Sequence, residues 1–138
     1  MIVDYDLRRR AAAETQGSPY MMQLIGHNLV RLAGDSGRVS ADLLEEALIM
    51  SREAFEEDVC GTTLAALSDR DIDFLRAMVA DEADSSMADI AKRMGVSSDY
   101  AQKYRIRLIS CGVVTSPRRG HVAVAVPYLK EFLARLEA

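Results

Sequence analysis

The stretch best suited to chemistry is a cluster of basic side chains, and the chemistry is contact with phosphate. Residues 92 to 121 hold 7 Lys/Arg and 1 Asp/Glu, a net of +6, in a chain of 138 residues with formal charge −4. Positive charge focused in this way on an otherwise acidic chain is an electrostatic footprint for nucleic acid. Ser97, Ser98, Gln102 and Lys103 stand together at the start of a helical pattern. Gln102 suits the edge of adenine, and Lys103 suits guanine or a phosphate. Arg105 and Arg107 follow further along the same helix, partly toward a nucleic-acid backbone. Arg118 and Arg119 sit in a turn beyond it and would reach phosphates or a neighbouring groove. These eight residues are the candidate DNA-binding set. Asp99, among them, opposes phosphate.

The elements that must position these residues are legible around them. Ser86 is an N-cap with Asp89 three residues on, which predicts a helix over Met87 to Met94. Gly95 ends it as a left-handed glycine can, and Val96 is expected to turn into the core. Ser97 or Ser98 opens a second helix carrying Ala101, Tyr104, Leu108 and Cys111 at helical spacing, closed by Gly112. Two short β-runs follow, Val113 to Thr115 and His121 to Val126, around the Pro117–Gly120 turn. The sum is a helix-turn-helix with a wing, whose second helix enters the major groove in DNA-binding proteins.

The rest of the chain reads as helix. One helix covers residues 3 to 15. A second runs from Tyr20 to Ala33 with Pro19 in its first turn, and Met21, Leu24, Ile25, Val30 and Leu32 on its apolar side. A third starts at Ser40 and reaches about Asp58, with an acidic outer face from Glu45 to Asp58. Gly61-Thr62-Thr63 interrupts the pattern and marks a boundary with an apolar joint. Ser68 and Asp71 form a capping box for the helix Asp69 to Ala80, and Asp81 to Ser85 form a polar loop. Pro127 begins a final helix with Tyr128, Leu129, Phe132, Leu133 and Leu136 on one side. The expected fold class is mainly α with a small β-hairpin wing: a helical segment over 1–61 and a winged helix-turn-helix over 62–138.

Other chemistries find little support. Cys60 and Cys111 lack CxxC spacing and read as reduced structural thiols. His27 and His121 stand too far apart for a metal-ligand pattern, so no metal or cofactor is expected; His121 reads first as a plain strand position. The methionines Met21, Met22, Met50, Met78, Met87 and Met94 fall on apolar sides and read as core. No nucleophile-and-base arrangement emerges, so no enzyme is expected of this chain. No apolar run is long enough to cross a bilayer, and the N-terminus carries no secretory pattern, which predicts a cytoplasmic protein.

The residues from Leu67 to Leu133 resemble the C-terminal winged helix of archaeal and bacterial P-loop ATPases of the AAA+ type, relatives of the origin-recognition ATPases and of the STAND group. Thr15, Gly17, Pro19, Tyr20, Gln23, Leu24 and Gly26 resemble a pattern in the helical lid of the same ATPases. The resemblance implies a regulatory, DNA-contacting part of an ATPase. It also implies that Gly17 and Pro19 approach a bound nucleotide when an ATPase core is present. The sequence has no G-x-x-x-x-G-K-[ST] loop, so this chain reads as a non-catalytic part of a longer ATPase or a truncated gene product. Without the core, Gly17-Ser18-Pro19 reads as a helix–helix turn. Two other readings stand beside the first: a winged helix that docks a protein partner, such as an ATPase core, and a stand-alone regulator similar to the MarR type.

Overall fold

The computed structural model describes residues 1–137 and divides the chain into two compact units, Met1–Val59 and Cys60–Ala138. In chain order the elements are α1 (Tyr5–Glu14), α2 (Pro19–Ala33), α3 (Ala41–Phe55), α4 (Thr62–Ala65), α5 (Asp69–Val79), β1 (Ser85–Ser86), α6 (Met87–Met94), α7 (Ser98–Ser110), β2 (Val114–Thr115), β3 (His121–Val124) and α8 (Leu129–Leu136). The protein is mainly α with a small antiparallel β wing, the fold class its sequence predicts.

The first unit is built on α2 against α3, its most closely packed pair. Both helices open on serine caps: Ser18 Oγ accepts from the Met21 N–H at 3.2 Å, and Ser40 Oγ accepts from the Leu43 N–H at 3.1 Å. Met21 and Ile25 of α2 meet Leu44, Leu48 and Phe55 of α3 in the buried core. One polar pair crosses that core: Asn28 Nδ2 donates to Ser51 Oγ at 2.9 Å, and Ser51 Oγ donates to the Ala47 carbonyl at 2.7 Å. Both partners of the buried amide contact are therefore satisfied, as burial requires. Val30 and Met22, expected inside, are exposed. Helical spacing alone therefore overstated the apolar side.

The break expected at Gly61-Thr62-Thr63 is absent. The backbone stays helical from α3 through a π-helical segment, Glu56–Gly61, into α4. A π turn accommodates an extra residue without leaving the helix, and Cys60 and Leu64 both end up buried.

The second unit packs four helices, α5 to α8, and a three-stranded sheet. Phe74, Leu75 and Met78 of α5, Ile90 of α6, Leu108 of α7, Val114 and Val122 of the sheet and Leu129 of α8 form its core. The sheet order is β1-β3-β2, antiparallel, with Ser85 opposite Val122 and Val114 opposite Val124. β1 lies in the stretch read as a polar loop. Two serines carry no alternating pattern, so only pairing with β3 makes them a strand. The last helix also differs from expectation. It starts at Leu129 rather than Pro127, because Tyr128 takes a left-handed conformation, φ 65°, and buries its side chain.

Candidate nucleic-acid interface

Helices α6 and α7 are set by local contacts. Ser86 Oγ accepts from the Asp89 N–H at 3.1 Å and Ser97 Oγ accepts from the Tyr100 N–H at 3.1 Å. Both helices end in the same way. At α6 the Gly95 N–H meets the Lys92 carbonyl at 3.1 Å and the Val96 N–H meets the Ala91 carbonyl at 3.0 Å. At α7 the Gly112 N–H meets the Ile109 carbonyl at 3.0 Å and the Val113 N–H meets the Leu108 carbonyl at 3.0 Å. These are Schellman closures, in which a left-handed glycine lets the chain turn back over the last carbonyls. Gly95 has φ 70° and Gly112 φ 78°. Val96 is half-buried rather than in the core, and Cys111 is exposed.

The wing is anchored at both ends. The Met87 N–H donates to the Gly120 carbonyl at 2.8 Å, joining the wing to the start of α6. Ser116 Oγ receives Arg105 Nη2 at 3.2 Å and lies 3.0 Å from the His121 carbonyl, joining it to α7.

The basic residues separate into two groups once their partners are seen. Arg93 is held by Asp81 at 2.6 Å, Arg107 by Asp71, and Arg118 by Asp84 at 3.3 Å. All three carboxylates lie outside residues 92 to 121, so the net charge of that stretch overstates the positive field the fold presents. Arg107 is placed differently from its expected role as a backbone contact. Its partner Asp71 is fully buried, and the pair ties α7 to the first turn of α5. Asp71 also accepts from the Ser68 N–H at 3.0 Å and so completes the capping box. Lys92, Lys103, Arg105 and Arg119 form the second group and have no carboxylate partner among the described residues.

The remaining candidates fall as follows. Ser98 is exposed at the start of α7, Ser97 is used as the cap, and Gln102 is half-buried, its Oε1 3.5 Å from Arg105 Nη1. His121 is the first residue of β3, the strand position expected of it, and its Nδ1 lies 3.1 Å from Asp84 Oδ1, which also holds Arg118. Two features escaped the sequence reading. Ile106, 64% exposed, and Ile109 put apolar surface on α7. Tyr100 and Tyr104 form a ring pair 5.4 Å apart. Tyr104, read as an inward position, is only half-buried. Spacing of i, i+4 was the available signal for that pair.

Gly17 and Pro19 form the turn between α1 and α2. The Gly17 N–H donates to Thr15 Oγ1 at 3.3 Å, and Pro19 opens α2 beside its Ser18 cap. The neighbouring hollow, about 290 Å³, is lined by Val3, Arg8, Ala11, Ala12, Thr15, Met22, Ile25, Gly26 and Leu29, and includes neither Gly17 nor Pro19. No cluster of metal-ligating side chains occurs among the described residues, and no helix among them is long and apolar enough to cross a membrane.

Residues 57–133 match the family described as a domain of unknown function, DUF8462, and the chain belongs to that family. The match takes in α4, α5, α6, α7 and all three strands, and ends within α8. Comparison with curated proteins and with solved structures found no match.

Proposed function

We propose that this chain contacts duplex DNA through a winged helix-turn-helix, with α7 in the major groove and the β2–β3 turn as the wing. The observation that carries the reading is the second group of basic residues. Lys103 on α7, Arg105 where α7 meets the wing, and Arg119 at its tip lack carboxylate partners. Together with Lys92 they allow about four phosphate contacts, each worth about −0.9 in the slope of log affinity against log salt. The module is non-catalytic by itself, and its resemblance to the C-terminal part of AAA+ ATPases supports a regulatory place beside an ATPase core.

The test is fluorescence anisotropy with a labelled duplex across a salt series. Arg119→Ala is expected to weaken binding alike on all sequences and to flatten the salt slope by about one unit. Asp84→Asn should strengthen binding, since it releases Arg118 and removes a repelling charge. Gln102→Ala should change sequence preference rather than slope. Absence of binding at low salt would sink the reading.

Docking of a protein partner is the second reading, and the exposed Ile106 and Ile109 favour it. Apolar surface of that kind on α7 suits a protein better than a phosphate backbone. An Ile106→Asp variant that keeps full DNA affinity would assign this side of α7 to a partner.

A further inference from the structure

Tyr100 is the centre of a cationic cluster that the basic stretch of the sequence does not disclose. The Arg70 guanidinium of α5 lies 5.6 Å from its ring centroid and the Lys103 ammonium lies 5.8 Å from it. Arg70 comes from outside residues 92 to 121, so the tertiary fold brings a further guanidinium, itself paired with Asp73, to the N-terminal end of α7. Two cations over one ring gain from its quadrupole and hold each other's positions despite their repulsion.

The hydroxyl geometry is directional. Tyr104 Oη donates to Tyr100 Oη at 3.3 Å. That oxygen accepts from Tyr104, and its own O–H points its hydrogen away from that donor. Tyr100 is more than a third exposed, so the hydrogen has access to solvent. The bond from Tyr104, then the neighbouring Arg70 cation, lowers the pKa of Tyr100 below that of an ordinary phenol and makes it the stronger donor. Arg70 gives one N–H to Asp73 at 3.0 Å and keeps others available, on a side chain 40% exposed.

We infer that Arg70, Tyr100 and Lys103 form a second phosphate contact of the DNA interface, at the end of α7 remote from Cys111. The chemistry is two cationic donors and one phenolic donor converging on an anionic oxygen, which is the donor set that fixes a duplex backbone in register. This contact rests on the DNA reading above, and it extends the interface from α7 onto α5.

The experiment compares wild type, Arg70→Ala, Tyr100→Phe and Arg119→Ala on one labelled duplex across a salt series, with thermal melts of each. Arg70→Ala should weaken binding several-fold and flatten the salt slope by about one unit. Tyr100→Phe keeps the ring and its packing but loses the donor. It should weaken binding several-fold with the slope unchanged and with little change in melting temperature. If Arg119→Ala weakens binding while Arg70→Ala and Tyr100→Phe do not, the inference falls and the DNA reading stands. If wild type does not bind duplex at all, the DNA reading falls first. A preference for single-stranded DNA that Tyr100→Leu abolishes and Tyr100→Phe retains would overturn the phosphate assignment in favour of base stacking.

Discussion

The two units are held together by different means. In Met1–Val59 the pair α2 and α3 are each 15 residues long, and each buries a continuous apolar stripe against the other. In Cys60–Ala138 the strands have 2 to 4 residues and α6 has 8. Elements that short bury little apolar surface each, so polar cross-links set their positions. Arg107 to Asp71 joins α7 to α5, Arg93 to Asp81 joins α6 to the loop after α5, and Lys130 donates to the carbonyls of Asp81, Glu82 and Ala83. In the first unit charge adds a smaller set of links, from Arg10 and Glu14 of α1 to Glu45 and Arg52 of α3. In the second it is part of the frame, and that use competes with its proposed use toward DNA.

The largest effect that separates the two should come from apolar truncation. Leu48 is fully buried in α3, so Leu48→Ala should cost about 2–5 kcal/mol, read by chemical denaturation. A loss under about 1 kcal/mol would mean that the stripe is not what holds the first unit.

Next in size is the buried carboxylate of the second unit. Asp71→Ala removes the reciprocal half of the capping box and the partner of Arg107, for a loss of about 2–3 kcal/mol. Its counterpart in the first unit is Arg10→Ala, which breaks the exposed pair with Glu14 at 2.5 Å and should cost less than about 1 kcal/mol. Equal losses for these two variants would erase the contrast between framing and solvated charge.

The smallest effect is in acid. Arg93, and after it Ser85, hold the Asp81 carboxyl at about 2, below the usual carboxylate value of about 3.9. A depressed folded-state pKa means that the unfolded chain binds the proton first as pH falls. The contribution is therefore complete above about pH 4 and lost as pH falls toward 2. Arg93→Met should remove that part of the acid dependence in melts from pH 5 to 2. An unchanged profile would show that the pair does not couple to folding.

Much of the fold was legible because it depends on residues a few positions apart. The caps at Ser40, Ser68, Ser86 and Ser97, the glycine closure at Gly95 and the opening of α2 at Pro19 are contacts between a residue and backbone within a turn of it. The candidate site was legible as a cluster of basic residues on a helix and a hairpin. It was not legible as a surface, since exposure and pairing do not follow from spacing.

Sequence alone thus determined where α5, α6 and α7 begin, where α6 and α7 end, and that a wing follows them, because capping and turn chemistry act over three to five residues. Tertiary structure decided the rest. It made a strand of Ser85 and Ser86 through pairing with β3, kept the backbone helical past Gly61, and chose which arginines are spent on carboxylates. Arg107 and Asp71 stand 36 residues apart, and Arg118 and Asp84 34. Attraction between charges depends on their distance in space and on the solvent around them, and neither is set by distance along the chain.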